Sequence, residues 1–256
     1  MLIDTHCHLD APEFDADRDE VVRRAREAGV HTVVVPGVTL AAMPQTLAMR
    51  RLYGCPVAFG LHPIFERTHR DAHLIALGEL IASEKPVAVG EIGLDFFVEG
   101  LDRVRQTEIF AAQLKLARDF ELPVLLHVRK SQDQVLKQLR RFGIRRGIAH
   151  AFNGSPQQAD AYLAQGLKLG FGGTLTFERA LNIRRLATKL PIEGIVLETD
   201  APDIPPSWAA SQRNEPANVA GIAALLAELR GMELGELARL TSENARKTLG
   251  LDAVAD

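Results

Sequence analysis

Eight short apolar runs rich in β-branched residues recur along the 256-residue chain, each followed by a longer stretch of helical period, and no other feature restricts the fold as strongly. The runs are LIDTHCH, HTVVVPGV, VAFGLHP, VAVGEIGLD, PVLLHVR, GIAHAF, LKLGFGGTL and GIVLETDAP. Between them lie amphipathic segments such as DEVVRRAREAGV, whose Val21, Val22, Ala25 and Ala28 share one face before Gly29 stops the helix. Gly29, Pro56, Pro86, Pro123, Gly147, Gly166 and Gly194 punctuate the passages from helix into the next run. A strand that returns through a helix pairs parallel to its predecessor, and eight such units predict closure into a (β/α)8 TIM-type barrel. The length suits one such domain, residues 1–256. The Pro-rich DAPDIPPSWAASQRNEP, the helical ANVAGIAALLAELRG and the closing LGELARLTSENARKTLG predict an extra C-terminal helix.

In a parallel barrel the strand ends converge on one mouth, so the residues closing the runs are the first candidates for chemistry. Those residues are His6 and His8, then His62, Glu91, His127 with Arg129, His150 and Asp200. Each has an ordinary alternative on its own: an HxH pair packed or exposed, a glutamate capping a turn, an Asx turn at Asp200 ahead of Pro202. Together, however, the metal-type residues among them form a histidine and carboxylate set suited to divalent ions. His6 and His8 lie two apart on an extended segment, so they share a face while Cys7 turns to the outer, helix-covered side. Four of the histidines, His6, His8, His127 and His150, with Glu91 and Asp200 make six candidate ligands, too many for one tetrahedral ion but suited to two ions about 3.5–4 Å apart. Glu91, on the fourth run between the first pair and His127 with His150, is the natural bridge, and Gly90 and Gly93 beside it are expected to let backbone approach the ions.

Bulk properties exclude several functions. A net charge of −3 lacks the broad basic surface that follows a duplex, and the basic RRFGIRRG joins a helix to the next strand, on the barrel's stability face. No apolar run approaches the ~20 residues of a membrane span. No secretory signal is visible, so the expected location is the cytoplasm, as a monomer with no obligate protein partner. Cys7 and Cys55 form neither a disulfide framework nor a cysteine-rich zinc motif.

The motifs DTHCHLD, GLHP, GEIGLDF, LPVLLHVR, HAFNGS, GFGGTLTF, LETDAP and RNEP occur in this order, and the sequence resembles the TatD-type metal-dependent hydrolases and deoxyribonucleases of the amidohydrolase-like barrel superfamily. The closing SENARKTLGL is similar to that family's last helix. The resemblance implies one divalent ion (Zn2+, Mn2+ or Mg2+) on His6, His8 and Asp200, a second on His127 and His150, and Glu91 between them. It further implies hydrolysis of phosphodiesters at the ends of single-stranded DNA or RNA, with Asp200 as general base toward water acidified by the ions. Arg129, His62 and Asn153 are the expected substrate contacts, Arg129 through bidentate bonds to a phosphate. The same apparatus suits esters or amides, so a D-aminoacyl-tRNA deacylase is the enzymatic alternative, and a noncatalytic metal-binding protein is a third class. Phe96, Phe97, Phe152 and Trp208 are aromatic residues able to stack on bases, although packing explains the phenylalanines equally; His31, His69 and His73 receive no role. The segments DIPPSW and FFVEGLDR depart from the pattern expected of the family, and both are expected to border the mouth.

Overall fold

The first strand, β1 (Leu2–Asp4), pairs in parallel with β2 (Val30–Val33) across the helix α1 (Arg18–Glu27). The chain then continues through β3 (Val35–Pro36), α2 (Met43–Tyr53), β4 (Val57–Phe59), α3 (Asp71–Glu84), β5 (Ala88–Asp95), α4 (Arg103–Asp119) and β6 (Val124–Arg129). It is completed by α5 (Gln132–Phe142), β7 (Gly147–Ala149), α6 (Pro156–Ala164), β8 (Leu167–Phe171), α7 (Leu181–Lys189), β9 (Ile195–Leu197), α8 (Val219–Arg230) and α9 (Leu234–Leu249). This computed structural model describes residues 1–251, so positions 252–256 of the expected domain lie outside the described residues.

All pairings are parallel, and β3 to β9 form a seven-stranded sheet in chain order. The expected second strand is one run in two pieces: β2 pairs with β1, and β3 with β4. The break falls at Val34, whose N–H donates to Asp4 O while its carbonyl accepts from Cys7 N–H, so the chain changes partner without leaving the wall. On the other side Thr5 N–H donates to Leu197 O at 3.0 Å, which draws β9 against the end of β1. The sheet is thereby curled into the TIM-type barrel.

Two apolar layers follow from the alternation of side chains. Ile3, Val34, Ala58, Ala88, Leu125, Ile148 and Val196 point inward and meet Ala245 and Leu249 of α9. The larger layer lies between strands and helices and includes Cys7, Leu9, Phe59, Leu126 and Phe110. Helix α9 closes the end of the barrel where strands begin: Ser242 Oγ donates to Met1 O, and Asn244 Nδ2 donates to Ile192 O and Ile195 O. With that end shut, the opposite end is the open mouth. RRFGIRRG runs from the end of α5 to the start of β7, on the closed side. Among the described residues no helix is long and apolar enough to cross a membrane.

Candidate metal centre

β1 ends at Asp4, two residues before His6, and the buried Asp4 carboxylate organises the segment that carries the first histidine pair. Its Oδ1 accepts the N–H groups of His6 and Thr199, and its Oδ2 accepts Thr199 Oγ–H at 2.6 Å. The segments carrying His6 and Asp200 are thus fastened to one carboxylate, and Asp200 N–H donates to His6 O at 2.8 Å. Asp200 adopts φ 59°, a left-handed conformation that aspartate tolerates better than most residues. Pro202, two residues on, has no N–H to give the Asp200 side chain, and Asp203 N–H goes to the Asp200 carbonyl, so the ordinary Asx-turn alternative is not realised and the carboxylate is left to the histidines.

Glu91, 1% exposed near the middle of β5, stands at the centre. Its two oxygens face different partners. Oε2 lies 3.1 Å from His6 Nε2 and 3.4 Å from His8 Nε2, and Asp200 Oδ1 spans the same pair at 3.6 and 3.7 Å. Oε1 lies 2.9 Å from His150 Nε2, 3.1 Å from His127 Nδ1 and 3.1 Å from His62 Nε2. All six expected ligand residues therefore converge, and His62 joins them. Cys7 is fully buried in the outer layer, away from this cluster, as the alternation of faces predicts.

Hydrogen bonds sort the histidines by which nitrogen keeps a free lone pair. Ile64 N–H donates to His62 Nδ1 at 3.1 Å, so the proton of the neutral ring sits on Nε2 and that atom donates to Glu91. Burial holds His62 down to about 4, in this neutral form. His62 is thus a donor rather than a ligand. His127 is arranged the other way: its Nε2–H donates to Asp95 Oδ2 at 2.9 Å, which turns the Nδ1 lone pair inward. Asp95 Oδ1 meanwhile accepts from Phe97 N–H and Val98 N–H at 2.9 and 3.0 Å. Against the cost of burial, the His127 bond and these amides hold Asp95 down to about 2.

The electrostatics call for positive charge. Burial and the neighbouring His150 hold His6 down to about 3, so its lone pair is available. Burial also opposes charge on His8 and His150, yet Glu91 and Asp200 outweigh it and push them up to about 9 and about 10. Glu91 and Asp200 thus favour positive charge at the point where these rings converge. The inward lone pair of His127 faces a carboxylate oxygen, a contact between acceptors unless a cation or proton lies between. The donor set, oxygen and imidazole nitrogen with sulfur excluded, fits divalent ions of the Zn2+ or Mn2+ type, and Mg2+ with more water.

The glycines beside Glu91 serve another purpose than the one expected. A Cβ on Gly90 would meet the Leu125 Cβ at 2.5 Å, and one on Gly93, at φ 152°, would overlap the His127 carbonyl oxygen. They allow β6, not an ion, to approach, and so set the separation of Glu91 from His127. Three further residues of the site are not among the sequence candidates, although Asp4 closes β1, Asp95 closes β5 and Glu198 directly follows β9. Asp4 and Asp95 lie inside the quoted motifs, and Glu198 in LETDAP accepts Ala151 N–H while burial pushes its carboxyl up to about 8. His69, given no role, is buried and donates from Nε2 to His62 O at 2.9 Å, fixing the turn that presents His62.

The centre opens into a cavity of about 1030 Å3. Arg129, Lys130, Asn153, Phe65 and Phe97 line it, and Asp10, Glu13 and Asp203 also reach it. Of the aromatic residues considered for stacking, Phe152 is buried edge-on against Tyr162, Phe96 packs against the core, and Trp208 donates its N–H to Asn218. Phe97 alone of the four lines the cavity.

A model of the family described as TatD related DNase matches residues 3–250. The Escherichia coli K12 protein named "uncharacterized metal-dependent hydrolase YjjV" is 40% identical over 247 residues, covering 95% of both chains. A Klebsiella pneumoniae protein named "3'-5' ssDNA/RNA exonuclease TatD" is 36% identical over 260 residues, covering 98% of both. The crystal structure of E. coli YjjV superposes with a TM-score of 0.95 at 38% identity, over 98% of both chains. Sequence and fold agree along nearly the whole length of these relatives, and the chain belongs to the TatD-related DNase family.

Proposed function

We propose that this protein is a divalent-metal-dependent phosphodiesterase that removes nucleotides from the ends of single-stranded DNA or RNA. The observation that carries the proposal is the division of Glu91, one oxygen toward His6 and His8 and the other toward His127 and His150. In this reading His6, His8 and Asp200 would hold one ion and His127 and His150 the other, with Glu91 offering an oxygen to each. When bound, the ions supply Lewis acidity, lowering the pKa of water and neutralising charge on a phosphoryl oxygen.

The chain's own groups supply the remainder. The Asp200 carboxylate accepts the proton of the attacking water; its side chain is 14% exposed, enough to meet solvent. His62 Nε2–H, fixed as a donor by the Ile64 amide, is available to a nonbridging phosphate oxygen. Arg129 presents its guanidinium from the cavity wall, and Asn153 lines the same cavity. Water adds to phosphorus, one P–O ester bond breaks, and the products carry a phosphate and a hydroxyl. The name of the Klebsiella relative supports single strands as substrate, and a net charge of −3 agrees with capture of ends rather than of long duplex tracts.

The test uses the purified protein with Mg2+, Mn2+ or Zn2+, offered end-labelled single strands, duplexes, a D-aminoacyl-tRNA and an aryl ester, with Glu91→Ala as control. Stepwise shortening of single strands, abolished in the control and by chelation, is expected. Turnover of the ester or the charged tRNA with every strand intact refutes the phosphodiesterase reading. Unchanged activity in Glu91→Ala refutes the bridged centre.

A further inference from the structure

The loop 96–102 between β5 and α4 carries Phe97 into the cavity with 53% of its surface exposed, an unusual position for a large apolar ring. The Arg129 guanidinium carbon sits 3.9 Å from the ring centroid, so one face of the ring is covered by a cation. Asp95, the register partner of Arg129 across β5 and β6, bonds instead to His127 and the loop amides, and among the described residues Arg129 forms no ion pair. The ring is also held relative to the metal centre: Phe97 N–H and His127 Nε2–H are bonded to the same Asp95 carboxylate. A second exposed aromatic, Phe65, reaches the same cavity at 41% exposure, its ring 6.0 Å from that of His62.

An aromatic face fixed by an arginine, in a cavity built for phosphodiesters, matches the chemistry of an unpaired nucleobase and its phosphate. We propose that Phe97 is a stacking platform for one base of the strand, with Arg129 bracing the ring from behind and directing its remaining N–H groups at the adjoining phosphate. This rests on the phosphodiesterase reading and adds its selectivity. A base within a duplex has both faces taken by neighbours, whereas an unpaired base has a face to offer. Every base carries a π-face, so the platform selects single strands without selecting sequence.

Two measurements test it. Oligothymidylates in which one abasic residue is moved stepwise from either end are compared in wild type and Phe97→Ala. On the intact strand Phe97→Ala is expected to raise KM by about 5- to 150-fold, the range of one lost base–aromatic stack. At one abasic position wild type should suffer a similar rise, and Phe97→Ala should add little to it. An equal effect of Phe97→Ala on intact strands and on all abasic strands, or no effect, overturns the platform. Separately, Phe97→Trp is titrated with oligothymidylate in chelator, where no turnover occurs, and the fluorescence is compared with the wild-type Trp208 background. Quenching of the added indole is expected, and its absence where strand anisotropy is saturated overturns the proposal. A strand that binds and quenches but is never cleaved with any metal sinks the phosphodiesterase reading and leaves the platform standing.

Discussion

Replacing Asp95 by asparagine tests the metal centre through a residue that is itself no ligand. In the native arrangement one carboxylate oxygen takes the His127 Nε2–H at 2.9 Å, and the other takes two loop amides at 2.9 and 3.0 Å. Asparagine cannot serve both. With its oxygen toward the loop, its NH2 group faces His127 Nε2, which must become an acceptor; the proton then moves to Nδ1, the atom 3.1 Å from Glu91 that has to be free for an ion. With the amide reversed, His127 is satisfied and the NH2 group opposes two backbone donors, freeing the loop. Loss of such an outer partner reduces metal affinity by about 10- to 100-fold, or about 1.4–2.7 kcal/mol. Competition against a fluorescent chelator measures the weaker site, and circular dichroism verifies the fold. Asp95→Asn binding metal within about twofold of wild type while correctly folded would refute the assignment of His127 Nδ1 as a ligand atom.

Burial and packing carry other consequences. Gly93→Ala places a methyl group against the His127 carbonyl at φ 152°, so it should lower stability by at least about 1–3 kcal/mol in denaturant titrations and weaken metal binding too. Leu125→Ala opens a void in the barrel interior, where Leu125 is fully buried, and should cost about 2–5 kcal/mol by the same titration. Cys7 and Cys55 are both buried, and burial raises their thiols, that of Cys55 to about 12; an aromatic disulfide reagent should label neither until the chain is unfolded. His69→Ala removes the bond to the His62 carbonyl, and its damage should fall on turnover of strands while metal stoichiometry, measured by calorimetry, stays at the wild-type value.

The barrel was legible because its signal is periodic: eight apolar runs separated by helical segments leave few topologies, and parallel pairing follows from the crossovers. The break between β2 and β3 was not legible. It arises because Val34 gives its N–H to Asp4 O and its carbonyl to Cys7 N–H, two partners supplied by a segment about thirty positions earlier, before Val35 turns to the next strand. Cys7 shows the converse: alternation of faces along one extended segment was enough to place it, since that information is local.

At the centre, most ligand-type residues could be read from the ends of the apolar runs because a barrel brings such ends together whatever the loops do, whereas Glu91 sits near the middle of β5. Their division of labour could not. His62 and His127 look alike in sequence, each a histidine closing an apolar run, and both lie 3.1 Å from the same Glu91 oxygen. What separates them is the partner of the other ring nitrogen: a backbone donor at Ile64 makes His62 Nε2 a proton donor, and a carboxylate at Asp95 makes His127 Nδ1 an acceptor. One partner lies two residues along the chain and the other on a neighbouring strand, so no single spacing encodes the difference. The same Asp95 also anchors the Phe97 amide, and a perturbation there should therefore reach both metal affinity and strand binding, whereas Phe97→Ala should reach only the second. Measuring metal affinity and strand KM in both variants separates the two functions of the carboxylate, and equal metal affinities in Asp95→Asn and Phe97→Ala would break the link drawn between them.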